Sequence, residues 1–370
     1  MSPTNLDKKH SRVYRSLVAL SLVTFVCNAG NPSYVSPQVS PTAALPRRVI
    51  LDVDPGIDDA IAILLALRSP ELKVEAVTIV AGNVTVDQGS ENALRVLSLA
   101  RRTDIPVARG SERPLRKTLV TATHWHGPNG LGGVELPRSA AELDRRHAVD
   151  LIIKLAHEHP HDLSIVATGP LTNLALAFRK APSIRQELSE IIVMGGSTVG
   201  GNETAAAEFN FFVDPDAAQI VFLSGVPLTM VGLNATRQTL LTRQHVRDLA
   251  ASGSCLGRFV AKLGEFQLRD GTTIGTPLHD PLALALAIDK TLATTTLSMR
   301  IEIDTRNGLT NGASIYNSAL TREHIVREGD HLTDGGEEPV APNADVPTVI
   351  GSDRFMALLM TRLTAAGDGC

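Results

Sequence analysis

The stretch Val49-Ile50-Leu51-Asp52-Val53-Asp54-Pro55-Gly56-Ile57-Asp58-Asp59 decides how this chain folds. Val49–Val53 is an apolar, β-branched run of the kind that makes a buried strand. Pro55-Gly56 ends it as a turn, and Asp58 opens an apolar helical pattern that runs to Leu67. The alternation repeats downstream. Val74–Val80 reads as a second strand before a helix over Val86–Ala100, and Ile105–Ala108 as a short third strand. A helix over Ala148–His157 precedes a strand at Leu163–Ala167. Helices over Thr172–Phe178 and Asp216–Leu223 precede strands at Ile191–Met194 and Leu228–Gly232. Strands alternating with helices at this spacing predict βαβ units, hence a doubly wound α/β domain with a mainly parallel central sheet flanked by helices. In such sheets ligands sit beyond the carboxyl ends of the strands, where this chain places Gly82-Asn83, Thr168-Gly169-Pro170 and Met194-Gly195-Gly196-Ser197.

Asp52, Asp54, Asp58 and Asp59 put four carboxylates within eight residues, beside a core strand. Unpaired charges do not stay ionised against a core, so the cluster needs a cation or raised pKa values. A hard divalent ion with oxygen ligands satisfies several carboxylates at once. The helix dipole accounts for Asp58 and Asp59 at a helix N-terminus, but leaves Asp52 and Asp54 unexplained. His279-Asp280-Pro281 is a second acidic constellation, which taken by itself reads as an Asp cap with Pro at the first helical position rather than as a site. Asn202-Glu203-Thr204 and Glu208-Phe209-Asn210 lie in a long segment between strand and helix. The segment from Arg109 to His147 is longer still and carries His124-Trp125-His126, with His124 read as a surface residue. Long ordered loops in compact domains are often functional.

With 370 residues, a net charge of −4 and 43% hydrophobic residues, the composition excludes a disordered chain, a collagen and a multi-pass membrane protein. A pI near 6.3 gives no broad cationic surface, so a nucleic-acid partner is not expected. Three cysteines make no disulfide framework and no zinc spacing, and Trp125 is the sole tryptophan. Lys8, Lys9, Arg12 and Arg15 precede the apolar run Leu17–Val26, which is too short to span a bilayer. Residues 1–29 therefore read as a signal peptide of a secreted or periplasmic protein with no stable membrane insertion after processing. Residues 30–46, rich in Pro and Ser, read as a flexible linker, and the folded domain as 47–370.

The segment Asp52-Val53-Asp54-Pro55-Gly56-Ile57-Asp58-Asp59 resembles the DxDPGxDD motif of the nucleoside hydrolases. It is joined in order by Gly82-Asn83, His126-Gly127-Pro128-Asn129-Gly130-Leu131-Gly132, Ala167–Asn173, Met194-Gly195-Gly196, Glu208-Phe209-Asn210, His279-Asp280-Pro281 and Pro342-Asn343-Ala344. The resemblance covers roughly Arg47 to Leu363. It implies a single Rossmann-like domain that hydrolyses the N-glycosidic bond of ribonucleosides to free base and ribose. It also implies one Ca²⁺ held by Asp54, Asp59, the backbone carbonyl of Thr168 and Asp280, with the ribose 2′- and 3′-hydroxyls and a water completing the shell. On the same ground Asp54 would orient and deprotonate the attacking water. Asp58 and Asn83 would bind ribose hydroxyls, with Asn210 toward the 3′ side, and Asn202 and Glu208 would hold the 5′-hydroxyl. Met194 would pack under the sugar, His126 would join the substrate-binding set, and Asp52 would support the ligands from behind. The leaving base needs a proton or an equivalent hydrogen bond, and His279 is the implied general acid. Family members commonly assemble as dimers or tetramers, so a homo-oligomer is expected.

Two departures stand out. Thr310-Asn311-Gly312-Ala313-Ser314-Ile315-Tyr316-Asn317 stands where the family often has a different stretch near its C-terminus, and the segment Gly264 to Gly275 carries Phe266 but no Tyr. Three Asn-x-Thr sequons, at Asn83, Asn202 and Asn234, read as coincidence, since two of these asparagines are assigned to the ribose site. A phosphatase with an aspartyl nucleophile would want a small hydroxyl residue soon after Asp54, where Pro55-Gly56 follows. The alternative of another class is an exported, non-catalytic nucleoside-binding protein using the same pocket.

Overall fold

The apolar run at Val49 becomes the centre of a sheet. A computed structural model describes residues 45–318 and 341–365, so the signal reading and all but the last two residues of the linker reading lie outside the described residues. The strands are β1 (Arg47–Val53), β2 (Leu72–Ile79), β3 (Val107–Arg109), β4 (Leu163–Ala167), β5 (Leu188–Met194), β6 (Leu228–Val231), β7 (Leu240–Thr242), β8 (Gly275–Pro277), β9 (Ala293–Ile303), β10 (Ser314–Ser318) and β11 (Ala344–Ile350). Nine of them form one sheet in the order β10-β9-β11-β6-β5-β4-β1-β2-β3, and β7 pairs with β8 separately. Among the described strands of the large sheet, β9 alone runs against the others. The order β3-β2-β1-β4-β5-β6 is the doubly wound arrangement, whose crevice opens between β1 and β4.

Alternation along β1 divides its side chains between two apolar layers. Val49, Leu51 and Val53 pack on one face with the helices Ile57–Leu67, Val86–Leu99, Cys255–Gln267, His279–Ile288 and Ser352–Thr364. Ile50 points into the other, with the helices Ala148–Glu158, Thr172–Lys180 and Pro215–Phe222. Both faces are covered, which is why β1 reads as continuous apolar sequence instead of alternating with polar residues.

Several boundaries move for local reasons. The first helix starts at Ile57, because the Asp59 carboxylate accepts the Gly56 N–H at 3.0 Å and closes the first turn. The third strand starts at Val107; Pro106 has no N–H for the ladder, and its carbonyl instead accepts from Val77. Pro215 opens the eight-residue helix Pro215–Phe222 under an Asp214 cap that accepts from Ala217 at 3.0 Å. The long segment after Arg109 contains a short helix, Thr123–His126. The segment Gly264 to Gly275 runs from the last turn of Cys255–Gln267 to the start of β8. Cys255 is disulfide-bonded.

Phe178 is fully buried in the second layer. Phe178→Ala should cost about 3–5 kcal/mol, read in urea as a lower midpoint at unchanged slope.

Candidate active site

Asp54 leaves the carboxyl end of β1 and is 0% exposed. Its Oδ2 accepts the Asn83 N–H at 2.7 Å, while its Oδ1 is buried without a partner. The βα turns can approach so closely because two of them lack a side chain here. A Cβ on Gly82 would overlap Asp54 Oδ2, and one on Gly169 would lie 2.9 Å from Asp54 Cγ. Asp59, in the first turn of the following helix, accepts from Gly56 N at 3.0 Å, Thr168 Oγ1 at 2.8 Å and Asn83 Nδ2 at 3.1 Å. The same helix start carries Asp58. Asp280 arrives from the first turn of the helix His279–Ile288; it is not the cap read from the sequence, since Leu278 precedes the helix and no side chain caps it, so its carboxylate is left for the cluster.

Asp58, Asp59 and Asp280 each bring a carboxylate oxygen within 4.8 Å of the others, and all three are buried. Burial, and then the charge of Asp59, pushes Asp54 well above the usual carboxylate range. Burial, and then Asp58 and Asp59, does the same to Asp280. Asp58 and Asp59 are raised chiefly by burial. Asp58 Oδ1 is a further buried oxygen without a hydrogen-bond partner, 3.7 Å from His126 Nδ1. An all-oxygen donor set with orphaned buried carboxylate atoms fits a hard divalent cation. Asp58, which the resemblance placed on the sugar alone, thus stands inside the carboxylate cluster. Asp54 lies beside that trio, and the Thr168 carbonyl accepts from Asn210 Nδ2 at 2.8 Å.

Asp52 sits behind the cluster and does not line the cleft. Its Oδ1 accepts from Thr78 Oγ1 at 2.6 Å and Asn173 Nδ2 at 2.8 Å, its carbonyl accepts from Thr168 N, and burial raises its pKa to about 6.

A cleft of about 250 Å³ opens over the cluster. Of the residues predicted from sequence, Asp58, Asn83, His126, Thr168, Met194, Asn202, Glu208, Asn210, His279 and Asp280 line it, whereas Asp54 and Asp59 lie beneath. Hydrogen bonds decide which atoms face inward. Asn210 spends its amide hydrogens on the carbonyls of Thr168 and Met194, which leaves its Oδ1 for the cleft. Asn202 Oδ1 accepts from Phe209 N at 2.9 Å, which leaves its amide hydrogens. Glu208 is fixed by three backbone donors, Gly196, Asn210 and Phe211, and burial raises its pKa to about 7. His126 Nδ1 accepts from Ile57 N at 3.0 Å, and burial lowers its pKa to about 4; the ring is neutral and carries its proton on Nε2.

The cleft also holds residues that the sequence did not single out as ligand contacts: Glu203, Phe209, Leu233, Arg237, Gln267 and Thr276. Gln267 bonds Thr276 Oγ1 at 2.6 Å. Its neighbour Phe266, the aromatic noted in that segment, faces Gly132 instead. The 3.6-residue helical period would have separated the two, had the helix been read that far. Trp125 lines the rim and is 63% exposed, and His124 is exposed as expected.

The profile of the family described as inosine-uridine preferring nucleoside hydrolase matches residues 49–357. The pyrimidine-specific ribonucleoside hydrolase RihA of Salmonella arizonae is 39% identical over 330 residues, which is 88% of this chain and all of that one. A solved plant nucleoside hydrolase superposes with a TM-score of 0.79 at 35% identity, covering 86% of this chain and 99% of that one. A purine-preferring ribonucleoside hydrolase from Gardnerella vaginalis gives 0.76 at 37% identity, covering 86% and 98%.

The cluster's fit to a cation is open to a thermal test. Millimolar Ca²⁺ should raise the melting temperature over that in chelator, with about 2.7 kcal/mol of stabilisation at a hundredfold excess over Kd. Gly82→Ala, which displaces the Asp54 carboxylate, should keep the far-ultraviolet dichroism and lose that shift.

Proposed function

The chain belongs to the inosine-uridine preferring nucleoside hydrolase family and is an N-glycosyl hydrolase, and from that premise we propose that it is a Ca²⁺-dependent ribonucleoside hydrolase. The observation that carries the metal dependence is the buried carboxylate cluster with the orphaned oxygens of Asp54 and Asp58. Asp54, Asp58, Asp59 and Asp280, with the Thr168 carbonyl, are the atoms that would hold the ion. The chemistry a bound Ca²⁺ supplies is a lower water pKa and a fixed ribose diol.

The chain's own residues account for the rest. Asp54 Oδ1 is the base that orients and takes a proton from the attacking water, and Asn83 N–H holds the carboxylate through Oδ2. Asn83 Nδ2 is committed to Asp59, so its Oδ1 and that of Asn210 accept from ribose hydroxyls. Asn202 amide hydrogens and the Glu208 carboxylate face the 5′-hydroxyl. Met194 forms the floor, and His126 offers Nε2–H. As the N-glycosidic bond breaks, the sugar gains oxocarbenium character, which these carboxylates and amide oxygens stabilise. Negative charge develops on the base, and His279 at the cleft wall supplies its proton or hydrogen bond. We also propose export of the mature chain, for which the disulfide at Cys255 and the basic-then-apolar N-terminus are the support. Homo-oligomer assembly is proposed on the family resemblance, and the elution volume of the purified chain tests it.

The test is ribose release from inosine, uridine, adenosine, guanosine and cytidine, with Ca²⁺ and after chelation. Release that chelation abolishes is expected, and the panel reads base preference. Asp54→Asn should lower kcat by about 10²–10⁴ while nucleoside binding survives in part. Binding without release by the folded, Ca²⁺-loaded wild type would overturn the hydrolase reading in favour of a binding protein.

A further inference from the structure

We propose that Thr236 is the positioning residue for His279: its buried hydroxyl donates to Nδ1 and thereby keeps the ring proton on Nε2, toward the cleft. Thr236 is 0% exposed, and its Oγ1 lies 2.7 Å from His279 Nδ1. The pairing is built into the backbone. The Thr236 carbonyl accepts from both Thr239 N at 3.1 Å and Thr239 Oγ1 at 3.0 Å, and the Thr239 carbonyl accepts from Leu278 N at 3.0 Å. One residue further out, β7 and β8 begin their antiparallel register at Leu240 and Pro277. Two segments about forty residues apart are therefore zipped together so that hydroxyl and imidazole meet at a fixed place.

The direction of the bond follows from what each group can do. A neutral imidazole has one donor and one acceptor nitrogen, and a hydroxyl can serve either. Among the described residues Thr236 Oγ1 has no other hydrogen-bond partner, so accepting from Nδ1–H would strand its own proton in the interior, at a desolvation cost. Donating places the hydroxyl proton on an acceptor and leaves the ring proton on the nitrogen that lines the cleft. It makes Nδ1 the acceptor and leaves Nε2–H as a preorganised donor to the ring nitrogen on which charge develops as the base departs.

This inference rests on the reading of His279 as the donor to the leaving base, and the test separates the two. The purified, Ca²⁺-loaded full chain is assayed on uridine and on an activated aryl riboside, whose phenolate leaves without protonation. His279→Ala should lose far more kcat/KM on uridine than on the aryl riboside. Thr236→Val should lose at least about tenfold more on uridine than on the aryl riboside, and Thr236→Ser, which restores the hydroxyl, should return most of it. An equal loss on both substrates, or no loss, with Thr236→Val while His279→Ala stays selective would overturn the role of Thr236 alone. A non-selective His279→Ala would overturn the reading of His279 and this inference with it. Independently of any fold effect of the substitutions, ¹⁵N shifts of His279 in the wild type should show an unprotonated Nδ1; a protonated Nδ1 on the neutral ring overturns the proposal.

Discussion

Like charges crowded out of water are the constraint on which this structure turns. Asp58, Asp59 and Asp280 hold carboxylate oxygens within 4.8 Å of one another, with Asp54 beside them, all inside the protein. At an effective dielectric constant of about 20, two full charges at that distance repel by on the order of 3 kcal/mol. Backbone and amide donors offset part of this: Gly56 N, Asn83 N, Asn83 Nδ2 and Thr168 Oγ1 all point at the cluster. They do not neutralise it. The orphaned oxygens of Asp54 and Asp58 mark where a cation would complete the balance.

Sheet topology is what makes such a cluster buildable. Parallel strands end on one rim, so β1, β2, β4 and β5 deliver Asp54, Asn83, Thr168 and Met194 to one place from four distant parts of the chain. The approach is tight enough that Gly82 and Gly169 leave no room for a Cβ against the Asp54 carboxylate. Behind them Asp52, Thr78 and Asn173 lock β1, β2 and the first turn of the helix Thr172–Lys180 through one carboxylate oxygen. The sugar-facing atoms are selected by subtraction. Asn210, Asn202 and His126 each commit one polar atom to the backbone, and what remains is aimed at the cleft.

The part of the chain that was legible is the part whose physics is local. The apolar runs at Val49, Leu163 and Ile191 lie in strands buried on both faces, and the helix starts after Gly56 and Leu171 follow from turn chemistry within a few residues. Beyond Gly232 the reading thinned. β7 and β8 are three residues each and carry no period long enough to register, and β9 alternates partly exposed residues instead of running apolar. Gln267 was hidden for the same reason, since its side of the helix Cys255–Gln267 is meaningful only once that helix is laid across the cleft.

By itself the sequence determined the doubly wound α/β class, the clustering of carboxylates at the end of the first strand, and the order of motifs that carries the family. These depend on neighbours in the chain, on hydrophobic period and on turn residues, and so are written locally. Only the tertiary structure decided that Asp58 joins Asp59 and Asp280 in one cluster, which ring nitrogen of His126 faces the cleft, and that Thr236 meets His279. Those outcomes turn on distances between segments brought together by strand pairing, and on which hydrogen-bond atoms the backbone has already used.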